Sequence, residues 1–222
     1  MKKFWLSFLG LASVGSFLLT GCEKDDPTPV PVEPTTVAKW QLDMENPVYV
    51  STDDLVTQAT LQGFMQGLLA STVEKVIIAL KSDSSLHIQW QKEGEEPIEL
   101  SESLPGLQLK YTQTEDGFTV LTDKTALEAI IGSFAEAIPD PSGLIGALVI
   151  EGKEEFLGIE FHGIAPEASG ITIYLETEKI QQLLPIAASL IPPTEGMDIS
   201  QLIPSLLTAE KLEVGLHFDM VE

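Results

Sequence analysis

In Ile173-Tyr174-Leu175-Glu176-Thr177-Glu178-Lys179-Ile180 the spacing of the apolar residues changes partway through, and that change organises the rest of the chain. Ile173 and Leu175 alternate with Tyr174 and Glu176, as on one face of a strand. Beyond Thr177-Glu178 the apolar positions are Ile180, Leu183, Leu184, Ala188 and Ile191, which share one side of a helix. A period of two giving way to one of about 3.6 reads as a strand running into a helix.

The same junction occurs twice more. Val48 and Val50 precede Thr52-Asp53, then come Leu55, Phe64, Met65, Leu68, Leu69, Val73 and Val76. Phe118 and Val120 precede Thr122-Asp123, then come Leu127, Ile130, Ile131, Phe134 and Ile138. A threonine hydroxyl can accept a bond from an orphan N–H at a helix start, and a carboxylate one residue on is favoured by the helix dipole. Capping therefore accounts for Asp53, Asp123 and Glu178 without a catalytic or calcium-binding role.

After each helical segment the chain returns to strand-like sequence, at Val76 to Leu80, Phe156 to Phe161 and Leu212 to Phe218. Val37 to Met44, Leu86 to Gln91 and Leu107 to Thr112 add further strands, and Thr114-Glu115-Asp116-Gly117 predicts a hairpin turn into Phe118 to Leu121. Prolines at 139, 141, 192, 193 and 204 punctuate the apolar helical regions, and Met197-Asp198-Ile199-Ser200 is expected to open a short helix ending near Leu207. The expected fold is α+β: a curved antiparallel sheet or lipocalin-like β-barrel of about eight strands, with inserted amphipathic helices.

Three segments follow from composition. Lys2 and Lys3, the apolar run Phe4 to Leu19 and the lipobox Leu19-Thr20-Gly21-Cys22 predict a lipoprotein signal peptide over residues 1–21, with Cys22, the sole cysteine, as the lipidated residue. Residues 22–36 carry Pro27, Pro29, Pro31 and Pro34 and read as an extended tether. Lys24-Asp25-Asp26 resembles the export signal of Bacteroidetes lipoproteins displayed on the outer face of the outer membrane; read without a receptor, it is a solvated charged run. Residues 37–222 are expected to form one domain.

Signal removal leaves ten lysines against 34 carboxylates, a net charge of −24, with no arginine. Such a chain is repelled by phosphate backbones, which excludes nucleic acid as a partner. The apolar stretches Ile130 to Ile150, Leu183 to Ile191 and Leu202 to Leu207 either complete the core or line a cavity for an apolar ligand. Trp40, Trp90, Tyr49, Tyr111 and Tyr174 are a thin supply for a glycan platform, and both tryptophans sit in alternating strands that suit core or sheet-edge roles.

His87, His162 and His217 lie in strands and lack the helical spacing of metalloprotease ligands, so neither metal nor cofactor is expected. Glu95-Glu96 and Glu154-Glu155 read as solvated turn charges. No nucleophile elbow, phosphate loop or dinucleotide fingerprint occurs, and the expectation is a protein without catalytic activity.

The layout resembles the lipocalin-like domains of unknown function found in Bacteroidetes lipoproteins. The matching features are the lipobox, the tether, Trp40 on the first strand, Ser51-Thr52-Asp53-Asp54-Leu55 opening a helical insertion, the Ile173 to Lys179 junction and the closing strand Leu212 to Phe218. The resemblance implies a small curved or barrel-like sheet with helices packed at an opening. The expected function is binding of a small apolar or amphipathic ligand by a protein held at the outer membrane through its lipid anchor. The alternative is a surface interaction module that binds a protein or a glycan as an accessory of an uptake or adhesive assembly.

Overall fold

The computed structural model describes residues 33–134, 138, 140–164, 169–190 and 202–221. In chain order the elements are β1 (Thr36–Leu42), β2 (Val48–Thr52), α1 (Leu55–Thr72), β3 (Lys75–Lys81), β4 (Leu86–Gln91), β5 (Ile98–Glu99), α2 (Leu100–Ser103), β6 (Leu109–Gln113) and β7 (Gly117–Asp123). They continue with α3 (Lys124–Ser133), α4 (Pro141–Ala147), β8 (Phe156–Ile164), β9 (Gly170–Leu175), α5 (Thr177–Leu190), α6 (Ile203–Leu207) and β10 (Leu212–Met220).

All three strand-to-helix junctions form, and the fold is α+β with a curled antiparallel sheet. The strands number ten among the described residues, against about eight expected. The short β5 has no alternating pattern to announce it. Strand order is β5-β4-β3-β1-β10-β9-β8-β7-β6, with β2 also paired to β10. Thus β1 and β2 lie end to end along β10, separated by residues 43–47. That excursion stands opposite His217 alone: the Asp43 N–H donates to the His217 carbonyl at 2.9 Å, and the His217 N–H donates to the Pro47 carbonyl at 3.0 Å. Five residues facing one exceed the usual two-against-one bulge and make a special one.

In an antiparallel meander alternate connections fall at the same end of the sheet. The helical insertions β2–α1–β3, β7–α3–α4–β8 and β9–α5–α6–β10 therefore all lie at one end, and the β3–β4 and β6–β7 turns at the other. The chain enters at the turn end, where Thr35 and Ser82 exchange bonds: Ser82 N–H to Thr35 O at 2.9 Å and Thr35 N–H to Ser82 Oγ at 3.1 Å. Strand β1 begins directly after this contact, and Pro34–Glu222 form one unit.

The junctions are capped differently from the expectation. On α1 the cap is Asp54, whose carboxylate accepts from the Thr57 hydroxyl at 2.5 Å, the Val56 N–H at 3.1 Å and the Thr57 N–H at 3.3 Å. Those bonds, the Thr57 hydroxyl foremost, hold its pKa below the usual aspartate value. On α3 the cap is Asp123 itself, accepting from the Ala126 N–H at 2.9 Å. Thr122 instead points inward, and its buried hydroxyl finds no partner among the described residues. Thr177 clasps β10: its hydroxyl accepts from Leu212 N–H at 2.8 Å and donates to Leu212 O at 3.1 Å. Thr122 lies inside β7, where the pleat turns it inward, and Thr177, the first residue of α5, spends its hydroxyl on β10. Leu55 also departs from its expected stripe, being 77% exposed, while α1 buries Thr57, Leu61 and Phe64. Val76 belongs to β3.

The curled sheet encloses its own side chains. Trp40, Leu42, Leu80, Leu86, Phe118, Ile173 and Phe218, drawn from β1, β3, β4, β7, β9 and β10, form one buried cluster. At the helical end Val48, Val50, Leu61, Leu184, Leu206 and Leu212 form a second, and Ile131, Ile138 and Ile186 a third. Leu42, Leu157, Leu206, Leu212 and Val48 are almost wholly removed from water. Each such side chain contributes about 1.5–3 kcal/mol relative to exposure, so an empty calyx in their place would be costly.

The sheet's two edges meet at one corner. A single bridge joins Ser85 to Lys110, the Tyr111 N–H donates to Ser84 O at 2.9 Å, and the Tyr111 phenol donates to Lys81 O at 3.1 Å. Elsewhere β6 and β4 are not laddered, so the barrel is drawn together at a point rather than zipped.

Candidate functional site

The closing strand β10 organises the outward face. Leu212, Val214, Leu216 and Phe218 point inward, which turns Glu213, Gly215, His217 and Asp219 outward. At one level Gly215 faces Tyr49 on β2 and Tyr174 on β9, and Tyr174 faces His162 on β8. A β-carbon at Gly215 would collide with Ile173 O and with the Cα and Cβ of Tyr174, so only glycine lets β9 approach this closely. Over the gap Tyr49 and Tyr174 lean together, ring centroids 5.6 Å apart and tilted 53°. His162 continues the row 5.5 Å from Tyr174, and the His217 ring meets Tyr49 edge-on at 5.8 Å.

Carboxylates border the rings. The Tyr49 phenol donates to Glu213 Oε2 at 2.7 Å, and Glu213 Oε1 lies 3.4 Å from Lys211 Nζ. His162 Nδ1 is 3.7 Å from Glu176 Oε1, and His217 Nδ1 shares a 2.7 Å hydrogen bond with the Thr172 hydroxyl. Burial, then the bond to Glu213, pushes the Tyr49 phenol up to about 12. Tyr174 is raised as well, by burial and by the charges of Glu213, Glu176 and Asp116. Both phenols therefore stay protonated and present hydroxyls beside an acidic rim.

Toward the turn end the row runs into a concavity of about 210 Å³ between the 43–47 excursion and strands β9 and β10. Its polar lining is Asp43, Asn46, Ser169, Thr172, His217 and Asp219. Asp43 shapes it: one carboxylate oxygen accepts from the N–H groups of Glu45 at 2.9 Å and Asn46 at 3.2 Å, an Asx turn that holds the excursion open.

Other residues singled out from the sequence are placed apart. His87, on β4, has Nδ1 3.2 Å from Glu99 Oε1 and Nε2 3.3 Å from Ser85 Oγ. That order resembles a nucleophile, base and carboxylate, but the Ser85 hydroxyl donates to Asp83 Oδ1 at 2.7 Å and so points its proton away from His87. His162 and His217 share the outward face around Tyr174. Among the described residues no three of His, Cys, Asp and Glu converge on a position that could hold a metal ion.

Glu95, Glu96, Glu154 and Glu155 are exposed. Trp40 is buried, Trp90 is half-buried beneath Lys92 Nζ at 5.2 Å, and Tyr111 serves the closing corner. Cys22, Lys24, Asp25 and Asp26 lie outside the described residues, as do residues 197–200. Among the described residues no helix is long and apolar enough to cross a membrane.

Sequence reasoning named Tyr49, Tyr174, His162 and His217 but missed Gly215, Glu213, Thr172, Asn46 and Asp219. The signal for part of this was present in the outward alternation Glu213, Gly215, His217, Asp219 along the closing strand. What could not be read was which strands flank it. No protein-family model, curated protein or solved structure matches the chain.

Proposed function

We propose that the chain is a lipid-anchored surface interaction module without catalytic activity, held at the outer membrane through Cys22 and exported under the Lys24-Asp25-Asp26 signal. Its partner, a protein or a glycan, meets the outward sheet face around Tyr49, Tyr174, His162 and His217. The observation that carries this reading is the distribution of side chains: the inside of the curled sheet is occupied by its own apolar residues, and half-exposed rings gather outside. The competing reading, an apolar ligand under the inserted helices, needs a void of roughly 300 Å³ or more where Leu61, Leu184, Leu206 and Leu212 now pack together.

Native mass spectrometry of residues 34–222 with organic extraction separates the two. A clean apo mass is expected. A stoichiometric lipid or sterol-like mass would overturn the surface reading. For the anchor, Cys22→Ala is expected to move the chain from the membrane to the soluble fraction, and unchanged membrane retention would refute lipidation.

A further inference from the structure

We infer that the concavity between the 43–47 excursion and strands β9 and β10 is a subsite for one neutral sugar ring of a glycan, whose neighbouring units run over Tyr49 and Tyr174. The inference rests on the surface-module reading and names the chemistry of its partner. Size is the first argument: about 210 Å³ lies below the roughly 300–1,000 Å³ of clefts that enclose drug-sized or lipid-like ligands, and is on the scale of a single sugar ring.

The lining is the second argument. Asn46 offers both a donor and an acceptor, Ser169 a hydroxyl, Asp219 a carboxylate that can accept from two adjacent hydroxyls, and His217 a ring already oriented by Thr172. This mixture suits a polyhydroxylated ligand. An apolar ligand would leave those groups without partners.

Charge decides among polar ligands. Among the described residues no lysine lines the concavity, and the chain has no arginine, so a phosphate, sulfate or uronate would face Asp43 and Asp219 without an ammonium or guanidinium to pair it. A basic peptide is the other candidate. Against it, one oxygen of Asp43 is committed to the turn, and Asn46, Ser169 and Thr172 share the lining with the two carboxylates. The edge-on contact of His217 with Tyr49 at 5.8 Å then makes the ring row continuous with the concavity, and tyrosine rings present an apolar face with a polar tip to a sugar.

The test is a titration of the full chain in detergent micelles, followed through its three histidine ring signals. Probes are the methyl glycosides of glucose, galactose and mannose, N-acetylglucosamine, glucuronate and an oligolysine peptide. At least one neutral sugar is expected to move the His217 signal and leave that of His87, on β4, unchanged. Glucuronate should bind about tenfold more weakly or worse, from like-charge repulsion. Asn46→Ala and Asp219→Asn, both at the surface, should each weaken the neutral sugar about tenfold while the apo spectrum stays native.

No response to any neutral sugar at tens of millimolar would overturn the subsite. So would an oligolysine response at His217 that Asp219→Asn abolishes, which assigns the face to a basic protein. Both outcomes leave the surface-module reading standing, whereas a co-purified lipid mass would remove that reading first.

Discussion

Tyr49 shows how much a single residue owes to its neighbours. Its phenol is half-buried against Tyr174 and donates to Glu213, so folding raises its pKa from 10.0 to about 12. The sign follows from which form the fold prefers. The protonated phenol is favoured, so this contribution is complete below about pH 10 and is lost as pH climbs toward 12. Titrating phenolate absorbance in the native chain and in Tyr49→Phe should assign the highest-pH step to Tyr49. A Tyr49 step near pH 10 would mean that the ring is not packed as described. The sequence marks Tyr49 as an outward residue of an alternating strand, but its hydrogen-bond partner on β10 depends on strand order.

At the scale of elements, α1 stands out in a strongly acidic chain because its eighteen residues include no charged side chain. Gly63 and Gly67 lie on its exposed side, and a β-carbon at either meets open space. Glycine within a helix costs about 0.8–1.0 kcal/mol relative to alanine. Gly63→Ala and Gly67→Ala should therefore each raise stability by about 0.5–1 kcal/mol in a urea melt. Loss of stability in either would place packed atoms over that face. Gly215→Ala is the internal contrast, since its β-carbon meets backbone and should destabilise the sheet. The sequence places Gly63 and Gly67 in a helical stretch and Gly215 in a strand, but which backbone lies over Gly215 depends on strand order. Helical periodicity located α1, yet its first residues Leu55 and Val56 are largely exposed, because the buried stripe runs through Thr57, Leu61 and Phe64 at i, i+4 and i+7.

For the molecule as a whole, closure depends on little more than the corner where β6 meets the β3–β4 turn. Tyr111→Phe removes the 3.1 Å bond to Lys81 O while keeping the ring. It should lower stability by about 1 kcal/mol and speed amide exchange in Leu109–Gln113 more than in the central strands. Unchanged exchange there would show that β7 alone holds the edge strand. The same topology gathers the helical insertions at one end and leaves the polar concavity toward the other, where the chain enters the fold.

The places where strands pass into helices were legible from the sequence, because apolar period and turn residues are local properties. Leu212 to Phe218 was legible as a closing strand and Thr114 to Gly117 as a hairpin turn for that reason. The sequence also set the acidic character of the surface and, through the absence of arginine, the ligands that surface repels. Long-range pairing was needed to make Asp54 rather than Thr52 the cap of α1, to curl the ten strands among the described residues without a continuous closing ladder, and to set Tyr49, Tyr174 and His162 in one row over Gly215. Those outcomes depend on the pairing of strands distant in the chain, and pairing is settled by the register in which every inward residue is buried at once.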